Sequence, residues 1–307
     1  MASAHAHSLF VRPADGFTFA YKVLGRSKAG PPFVLIHGLS SVGLVDWFPL
    51  ATSLAEHRPV LVFDNRGIGS SRIPKGKEKE RYDVQDMADD VVELVKHLGF
   101  REIDLLGFSM GGMIAQTLLV TLHLPFTVRH AILVATSAKP AHSDLLQAIP
   151  SPPADGKVLT TEEKKELIRP FILTGYDPAF IRTPRNQALI DQRIEETVQS
   201  RRPARVIQQQ VRVIADYDVR KRLGTIPPSL PVLVIQGSLD RSVYPTESKY
   251  ILAGIKHAQF LSFEGMGHIW YDYLDATYWT NLLNRFLADE EVASLVPPSL
   301  APPPAKL

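Results

Sequence analysis

The stretch Gly107-Phe108-Ser109-Met110-Gly111-Gly112 decides how the rest of this 307-residue sequence is interpreted. It joins a short apolar run, residues 103–106, to residues 110–122, which have a helical pattern of apolar side chains. A serine between glycines at a sharp strand-to-helix turn projects its hydroxyl beyond the strand end, where it can act as a nucleophile. The same short motif also occurs as a plain glycine-rich turn, so the interpretation depends on the rest of the chain.

The segments around this turn alternate between strand-like and helix-like patterns. Apolar, β-rich runs predict strands at residues 17–24, 33–36, 60–63, 103–106, 130–135, 231–236 and 259–263. Helical patterns cover residues 84–98, 110–122, 246–253 and 277–287. This alternation predicts an α/β fold with a mostly parallel central sheet and helices on both faces.

The alternation is interrupted in the middle of the chain. Between residues 138 and 229, proline-rich turns separate polar helical segments at 161–173 and 186–198, which predicts an inserted helical cap. The chain is therefore predicted to have four parts. They are the N-terminal part of the core (1–137), the cap (138–229), the C-terminal part of the core (230–290) and a proline-rich flexible tail (291–307).

Composition excludes several classes of function. The net charge is only +2 with scattered basic residues, which argues against nucleic acid as the partner. The chain has no cysteine, so neither disulfides nor a thiol nucleophile are possible. The N-terminus lacks an apolar leader and no later apolar run reaches spanning length, so we expect neither secretion nor a membrane span.

Two further strand ends carry residues that match a nucleophilic serine. Asp240 follows the predicted strand at 231–236 after a glycine turn, and His268 lies in a glycine-rich loop after the strand at 259–263. The order Ser, Asp, His is the one expected for a triad in which histidine is the base and aspartate orients it.

Each of these residues also has a structural interpretation. Asp240 could cap the following turn, and His268 is one of ten histidines. Asp216 and Asp218 remain alternatives for the acid, because they precede the same strand. The order and the strand-end positions of Ser109, Asp240 and His268 together favour the catalytic interpretation.

A tetrahedral oxyanion needs fixed hydrogen-bond donors. The amide of Met110 at the start of a helix supplies one. The second is expected from Leu39, because Gly38 lets the loop after the strand at 33–36 fold back toward the serine. The alternative for this loop is an ordinary strand-end turn.

From about residue 10 to 286 the chain resembles the α/β-hydrolase family. The similarity rests on His37-Gly38, the loop from Asp64 to Ser71, the Gly-Phe-Ser-Met-Gly-Gly turn, Leu-Asp240 and Gly-His268. The turn resembles most the branch of enol-lactonases, small-molecule esterases and cofactor-free haloperoxidase-like enzymes. This resemblance implies no metal and no organic cofactor, and it gives Arg66 in the 64–71 loop no catalytic role.

These observations predict a serine hydrolase for an ester, lactone or thioester of a hydrophobic small molecule, with the cap closing an apolar chamber over Ser109. Hydrolytic carbon–carbon cleavage and peracid chemistry remain open, because the same triad serves them in related enzymes. A ligand-binding or non-hydrolytic biosynthetic protein on the same fold also remains open.

The chain ends in Ala305-Lys306-Leu307, a close variant of the Ser-Lys-Leu signal that a peroxisomal import receptor binds. In a eukaryote we therefore expect peroxisomal localisation, and otherwise a cytoplasmic one. The alternative is an ordinary proline-rich tail, because the motif is only three residues long.

Overall fold

A computed structural model of the chain describes residues 7–151 and 157–300. Its centre is an eight-stranded sheet whose strands are β1 Ser8–Val11, β2 Thr18–Leu24, β3 Phe33–Ile36, β4 Val60–Phe63, β5 Glu102–Phe108, β6 Thr127–Val134, β7 Val232–Gly237 and β8 Gln259–Phe263. Their order across the sheet is β1-β2-β4-β3-β5-β6-β7-β8. Strands β3 to β8 run parallel, whereas β1 and β2 are antiparallel additions at one edge. The predicted α/β fold with a mostly parallel sheet is confirmed.

Strand β1 was not predicted from the sequence. Strand β1 pairs along its whole length with β2 at the edge of the sheet, and only Phe10 of its four residues is buried. An edge strand with one buried side chain has neither a continuous apolar run nor a full alternation, so the pattern gave no signal.

Helices cover both faces of the sheet, and the strands show why. All four residues of β3 are buried, and successive side chains alternate between two apolar cores. Val34 shares one core with Met87 of the helix at Val84–His97, and Leu35 shares the other with Trp279 of the helix at Ala276–Phe286. The helices of this part are α1 Gly43–Asp46, α2 Leu50–Ala55, α3 Val84–His97, α4 Met110–Leu119, α10 Ser248–Gly254 and α11 Ala276–Phe286.

Between β6 and β7 the described residues form helices and turns. The helices are α5 Leu145–Ala148, α6 Thr161–Leu173, α7 Pro178–Arg182, α8 Gln187–Gln199 and α9 Ala204–Ala215. A small apolar core of their own includes Tyr176, Ile190 and Ile194. Helix α9 was not predicted from the sequence, although Val206, Val213 and Ile214 recur at helical spacing; Gln209 and Gln210 are buried beside them.

The segment after α11 differs from the flexible tail expected from the sequence. Val292 is fully buried, and Leu295 and Leu300 pack against the core that contains Trp279. The Leu300 amide donates a hydrogen bond of 2.8 Å to the Glu264 carbonyl. Residues 291–300 therefore pack against the folded core, because a few apolar side chains between the prolines contact it. No helix among residues 7–151 and 157–300 is long and apolar enough to cross a membrane.

Candidate active site

Ser109 lies at the sharp turn between β5 and α4, at the carboxyl edge of the sheet. Its backbone has φ 57° and ψ −122°, a conformation that a non-glycine residue rarely adopts. The turn is possible because its glycines leave room for neighbouring backbone. A Cβ on Gly111 would clash with the Ile36 carbonyl, and one on Gly112 would clash with Thr136. The predicted strand-to-helix turn is thus built by close contacts that only glycine allows.

The structure brings the three predicted residues together. His268 Nε2 lies 3.0 Å from Ser109 Oγ, and His268 Nδ1 lies 2.8 Å from Asp240 Oδ2. All three side chains are buried, and Asp240 is only 2 % exposed. With Asp240 accepting from Nδ1–H, neutral His268 presents an unprotonated Nε2 to the serine hydroxyl.

Asp240 is held by its own turn. Its Oδ1 accepts from the amides of Ser242, at 2.9 Å, and Val243, at 2.8 Å, while Gln236 Nε2 donates to Oδ2 at 3.0 Å. Oδ2 therefore accepts from Gln236 and faces His268 Nδ1 at the same time. Sequence reasoning missed Gln236, a buried polar residue in an otherwise apolar strand.

The alternative acids lie elsewhere. Asp218 forms an exposed ion pair with Arg220, and Asp216 is the exposed residue that ends helix α9. In the described part of the chain, neither carboxylate forms a hydrogen bond with His268. The geometry therefore favours Asp240 as the partner of His268.

The end of helix α6 fixes both loops that carry the acid and the base. The Gly175 carbonyl accepts from the amides of His268, at 2.9 Å, and Ile269, at 3.0 Å. Ser242 Oγ donates to the Thr174 carbonyl at 3.2 Å. Residues from the helical insertion thus help to position the histidine.

The loop after β3 approaches the serine as expected. A Cβ on Gly38 would lie 3.0 Å from Ser109 Cβ and 3.4 Å from its Oγ, so this backbone runs directly beside the hydroxyl. The Leu39 amide donates no hydrogen bond to any described residue. The Met110 amide begins α4 and has no acceptor within the helix. Both amides are therefore available to a ligand oxygen.

His37 and Tyr271 form a buried pair beside this loop. His37 Nδ1 accepts from the Gly38 amide at 2.8 Å, so its proton sits on Nε2, 3.3 Å from the Tyr271 hydroxyl. Burial lowers the pKa of His37 to about 3, which keeps the ring neutral. The pair shapes the loop without adding a charge next to the serine. The sequence showed His37 as part of a motif but gave no sign of Tyr271.

Ser109 opens into a cavity of about 80 Å³. Three apolar residues of the helical insertion, Leu145, Phe171 and Ile172, line it. Other apolar residues of the insertion lie elsewhere: Ile190 is in its small core, and Leu146, Ile149, Leu167, Ile168 and Val211 line a neighbouring cavity.

The cavity is less apolar than expected. Arg202 and Asp46 line it as an ion pair at 2.8 Å, and Arg193 lines it while paired with Asp272 at 2.6 Å. Burial raises the pKa of Asp46, but Arg202 outweighs that effect and the net pKa lies below its ordinary value. Asp46 is therefore ionised and already compensated.

The loop from Asp64 to Ser71 is occupied with internal contacts. Arg66 is buried and binds both oxygens of Asp90, at 2.6 and 2.7 Å. Asp64 accepts from the amides of Ser70 and Leu44. Within the described part of the chain, no cluster of His, Asp or Glu is arranged to hold a metal ion.

Residues 305–307, which carry the predicted import signal, lie outside the described residues, so localisation stays a prediction.

Comparisons with known proteins agree with this architecture. The profile of the alpha/beta hydrolase fold family matches residues 31–273. A proline iminopeptidase of Lactobacillus crispatus is 26% identical over 277 residues, which span 84% of this chain and 90% of that protein. The 3-oxoadipate enol-lactonase 2 of Acinetobacter baylyi is 25% identical over 231 residues, or 75% and 80% of the two chains. The crystal structure of the enol-lactonase from Burkholderia xenovorans superimposes with a TM-score of 0.72 at 22% identity, covering 92% of this chain and 100% of that one.

Proposed function

The chain belongs to the α/β-hydrolase family, and from that premise we propose that it is a serine hydrolase of esters, lactones or thioesters of hydrophobic small molecules. The family and the relatives above support a hydrolase. The observation that carries the finer proposal is the continuous hydrogen-bonded chain from Ser109 through His268 to Asp240.

The geometry supports a two-step acyl transfer. Ser109 Oγ attacks the carbonyl carbon while His268 Nε2 takes its proton, and the carbonyl oxygen gains the charge that the Leu39 and Met110 amides are placed to bind. His268 then gives that proton to the leaving oxygen or sulfur as its bond to carbon breaks. Water, deprotonated by His268, attacks the acyl-enzyme, which releases the acid and restores Ser109. Asp240 holds the imidazole in the required tautomer and stabilises its charged form.

Aminopeptidase activity is the second candidate, because a proline iminopeptidase is among the relatives. An N-terminal proline is a cationic amine at neutral pH and needs an anionic partner. Among the described residues lining the serine cavity, the carboxylate is that of Asp46, which Arg202 already pairs and which accepts from the Val42 amide. The cationic amine of such a substrate would find no unpaired carboxylate among these lining residues. This arrangement favours neutral ester-type groups at the scissile bond.

The first test is covalent labelling of Ser109. A fluorophosphonate probe should modify the intact protein and leave Ser109→Ala unlabelled, because only an activated serine hydroxyl reacts readily. Peptide mapping by mass spectrometry should place the label on Ser109. Labelling that persists in Ser109→Ala, or absence of labelling in the parent, would reject the proposal.

Turnover then separates the candidate reactions. We expect hydrolysis of p-nitrophenyl acetate and none of L-proline p-nitroanilide, with both measured on the parent and on Ser109→Ala. The opposite preference would establish the peptidase instead. Labelling of Ser109 without turnover of either compound would direct attention to carbon–carbon cleavage or peracid formation with the same triad.

A further inference from the structure

A second and much larger cavity lies beside the serine cavity. Its volume is about 780 Å³, against about 80 Å³ around Ser109. Thr197 and Arg202 line both cavities, so the two meet at these side chains. The larger volume is in the range that holds a drug-sized ligand, whereas the smaller one accommodates only a short group.

Two helix faces form much of the wall. Lys164, Leu167 and Ile168 are spaced to lie on one face of α6, and Ile207 and Val211 recur on one face of α9. The apolar side chains on these faces provide surface for a hydrocarbon or ring system. Lys164 and Leu167 are exposed, so this end of the cavity is the end that opens to solvent.

The charged side chains that line the large cavity, among the described residues, have one sign. The basic residues Lys157, Lys164, Arg202 and Arg212 line it, and none of the described residues lining it is an Asp or Glu. Arg202 is compensated by Asp46, and Lys157 pairs with Glu163. Lys164 and Arg212 form no ion pair or side-chain hydrogen bond with any described residue. Two exposed, uncompensated cations at the mouth of an apolar cavity are complementary to an anion on an apolar body.

We infer that the large cavity binds the bulky half of the substrate, an apolar group that ends in an anion such as a carboxylate, sulfate or phosphate. This inference rests on the proposed serine-hydrolase function. The short half of the ester occupies the cavity beside Ser109, and the bulky half passes Thr197 and Arg202 to reach Lys164 and Arg212. The substrate class is therefore an amphiphilic, anionic ester with one short half.

Binding can be measured without turnover in Ser109→Ala. Isothermal titration with octyl sulfate, 1-octanol and octyltrimethylammonium compares one apolar chain with three head-group charges. The two ionic compounds are kept below their micelle concentrations, and 1-octanol is kept below its solubility limit. We expect octyl sulfate to bind one site about 10-fold more tightly than octanol, and the cation to bind more weakly than octanol. Adding Lys164→Gln and Arg212→Gln to Ser109→Ala should lower the affinity for octyl sulfate to that for octanol and leave octanol binding unchanged.

The matched control removes the same charge elsewhere. Arg205 lies on α9 and Lys256 follows α10, and neither lines the large cavity. Adding Arg205→Gln and Lys256→Gln to Ser109→Ala should therefore keep the preference for octyl sulfate. Equal affinity of octyl sulfate and octanol, or an equal loss in the control variant, would overturn the inference.

A kinetic measurement on the parent separates this inference from the proposed function. Octyl sulfate should inhibit hydrolysis of p-nitrophenyl acetate competitively, and noncompetitive inhibition would place the anion outside the substrate path and overturn the inference. Turnover without any anion preference would overturn the inference and leave the proposed function standing. Anion-selective binding without turnover of any ester would overturn the proposed function, and with it the assignment of the cavity to a substrate.

Discussion

The sheet carries one aspartate–histidine pair where its parallel strands end, at the carboxyl edge, and another near where they begin, at the amino edge. At the carboxyl edge, His268 Nδ1 lies 2.8 Å from Asp240, and at the amino edge His130 Nδ1 lies 2.8 Å from Asp104. Both pairs are buried. They differ in what the other ring nitrogen meets, which is the Ser109 hydroxyl for His268 and the Asp289 carboxylate for His130.

The surroundings give the two pairs different chemistry. Asp104 and His130 are paired residues on the parallel strands β5 and β6, and Asp104 also binds Arg58 at 2.6 Å. Burial lowers the pKa of His130, but Asp104 and Asp289 outweigh it and the net pKa is raised. An imidazole between two carboxylates is stabilised in its charged form and cannot act as a base. The pair at the carboxyl edge differs because a sharp turn places a hydroxyl there, so a histidine–aspartate contact alone does not identify a catalytic site.

The largest expected difference between the two edges is in turnover. Asp240→Asn should lower kcat for p-nitrophenyl acetate by about 10⁴-fold, because His268 loses the partner that fixes its tautomer. Asp104→Asn and Asp218→Asn should keep the parental kcat at a temperature where all variants are folded. An inactive Asp218→Asn variant beside a fully active Asp240→Asn variant would show that Asp218, and not Asp240, is the acid.

The amino-edge pair should matter more for the stability of the protein than for its turnover. Asp104→Asn should lower the free energy of unfolding by about 3 kcal/mol, because it leaves the half-buried Arg58 without its anion and the buried His130 with only the exposed Asp289. Urea denaturation monitored by circular dichroism measures this value. The exposed Asp218→Asn should cause no measurable change, since its ion pair is solvated. An Asp104→Asn variant as stable as the parent would mean that the amino-edge pair contributes nothing to folding.

A smaller loss of activity is expected from crowding at the carboxyl edge. Gly38→Ala places a methyl group 3.0 Å from Ser109 Cβ, so the loop after β3 must shift by a few tenths of an ångström. We expect kcat/KM to fall by about 10-fold with little change in melting temperature. Gly224→Ala is the matched control, because its nearest neighbour would be 4.0 Å away. Equal kinetics for the two variants would show that the loop tolerates the shift.

The smallest effect is a pH dependence of stability. Because the folded pKa of His130 is raised above its unfolded value of about 6.5, its contribution is fully present below that pH and is lost as pH rises through the folded pKa. The difference in unfolding free energy between the parent and His130→Gln should therefore shrink from pH 6 toward pH 9. Urea midpoints across this range measure it, and a pH-independent difference would contradict a charged His130.

The elements that position the site were predictable where the local pattern was strong. The four residues of β3 and those of β4 are uniformly apolar, and the predicted bounds match the structure. The glycines around Ser109 marked the junction at which strand β5 turns sharply into helix α4. Strand β1 was missed, because its edge pairing through Phe10 depends on distant parts of the chain. Helix α9 was missed although its apolar residues recur at helical spacing, so that signal was present in the sequence.

The sequence by itself determined the α/β alternation, the serine turn, and the order in which Ser109, Asp240 and His268 follow strand ends. Parallel strands bring their carboxyl ends to one edge, so these local signals implied a common site. Only the tertiary structure decided which carboxylate meets His268, that Gly175 anchors the histidine loop, and that Asp46 and Arg202 pair beside the serine. Those contacts join residues far apart in the chain, and no periodicity or motif in a single sequence records which distant side chains will meet.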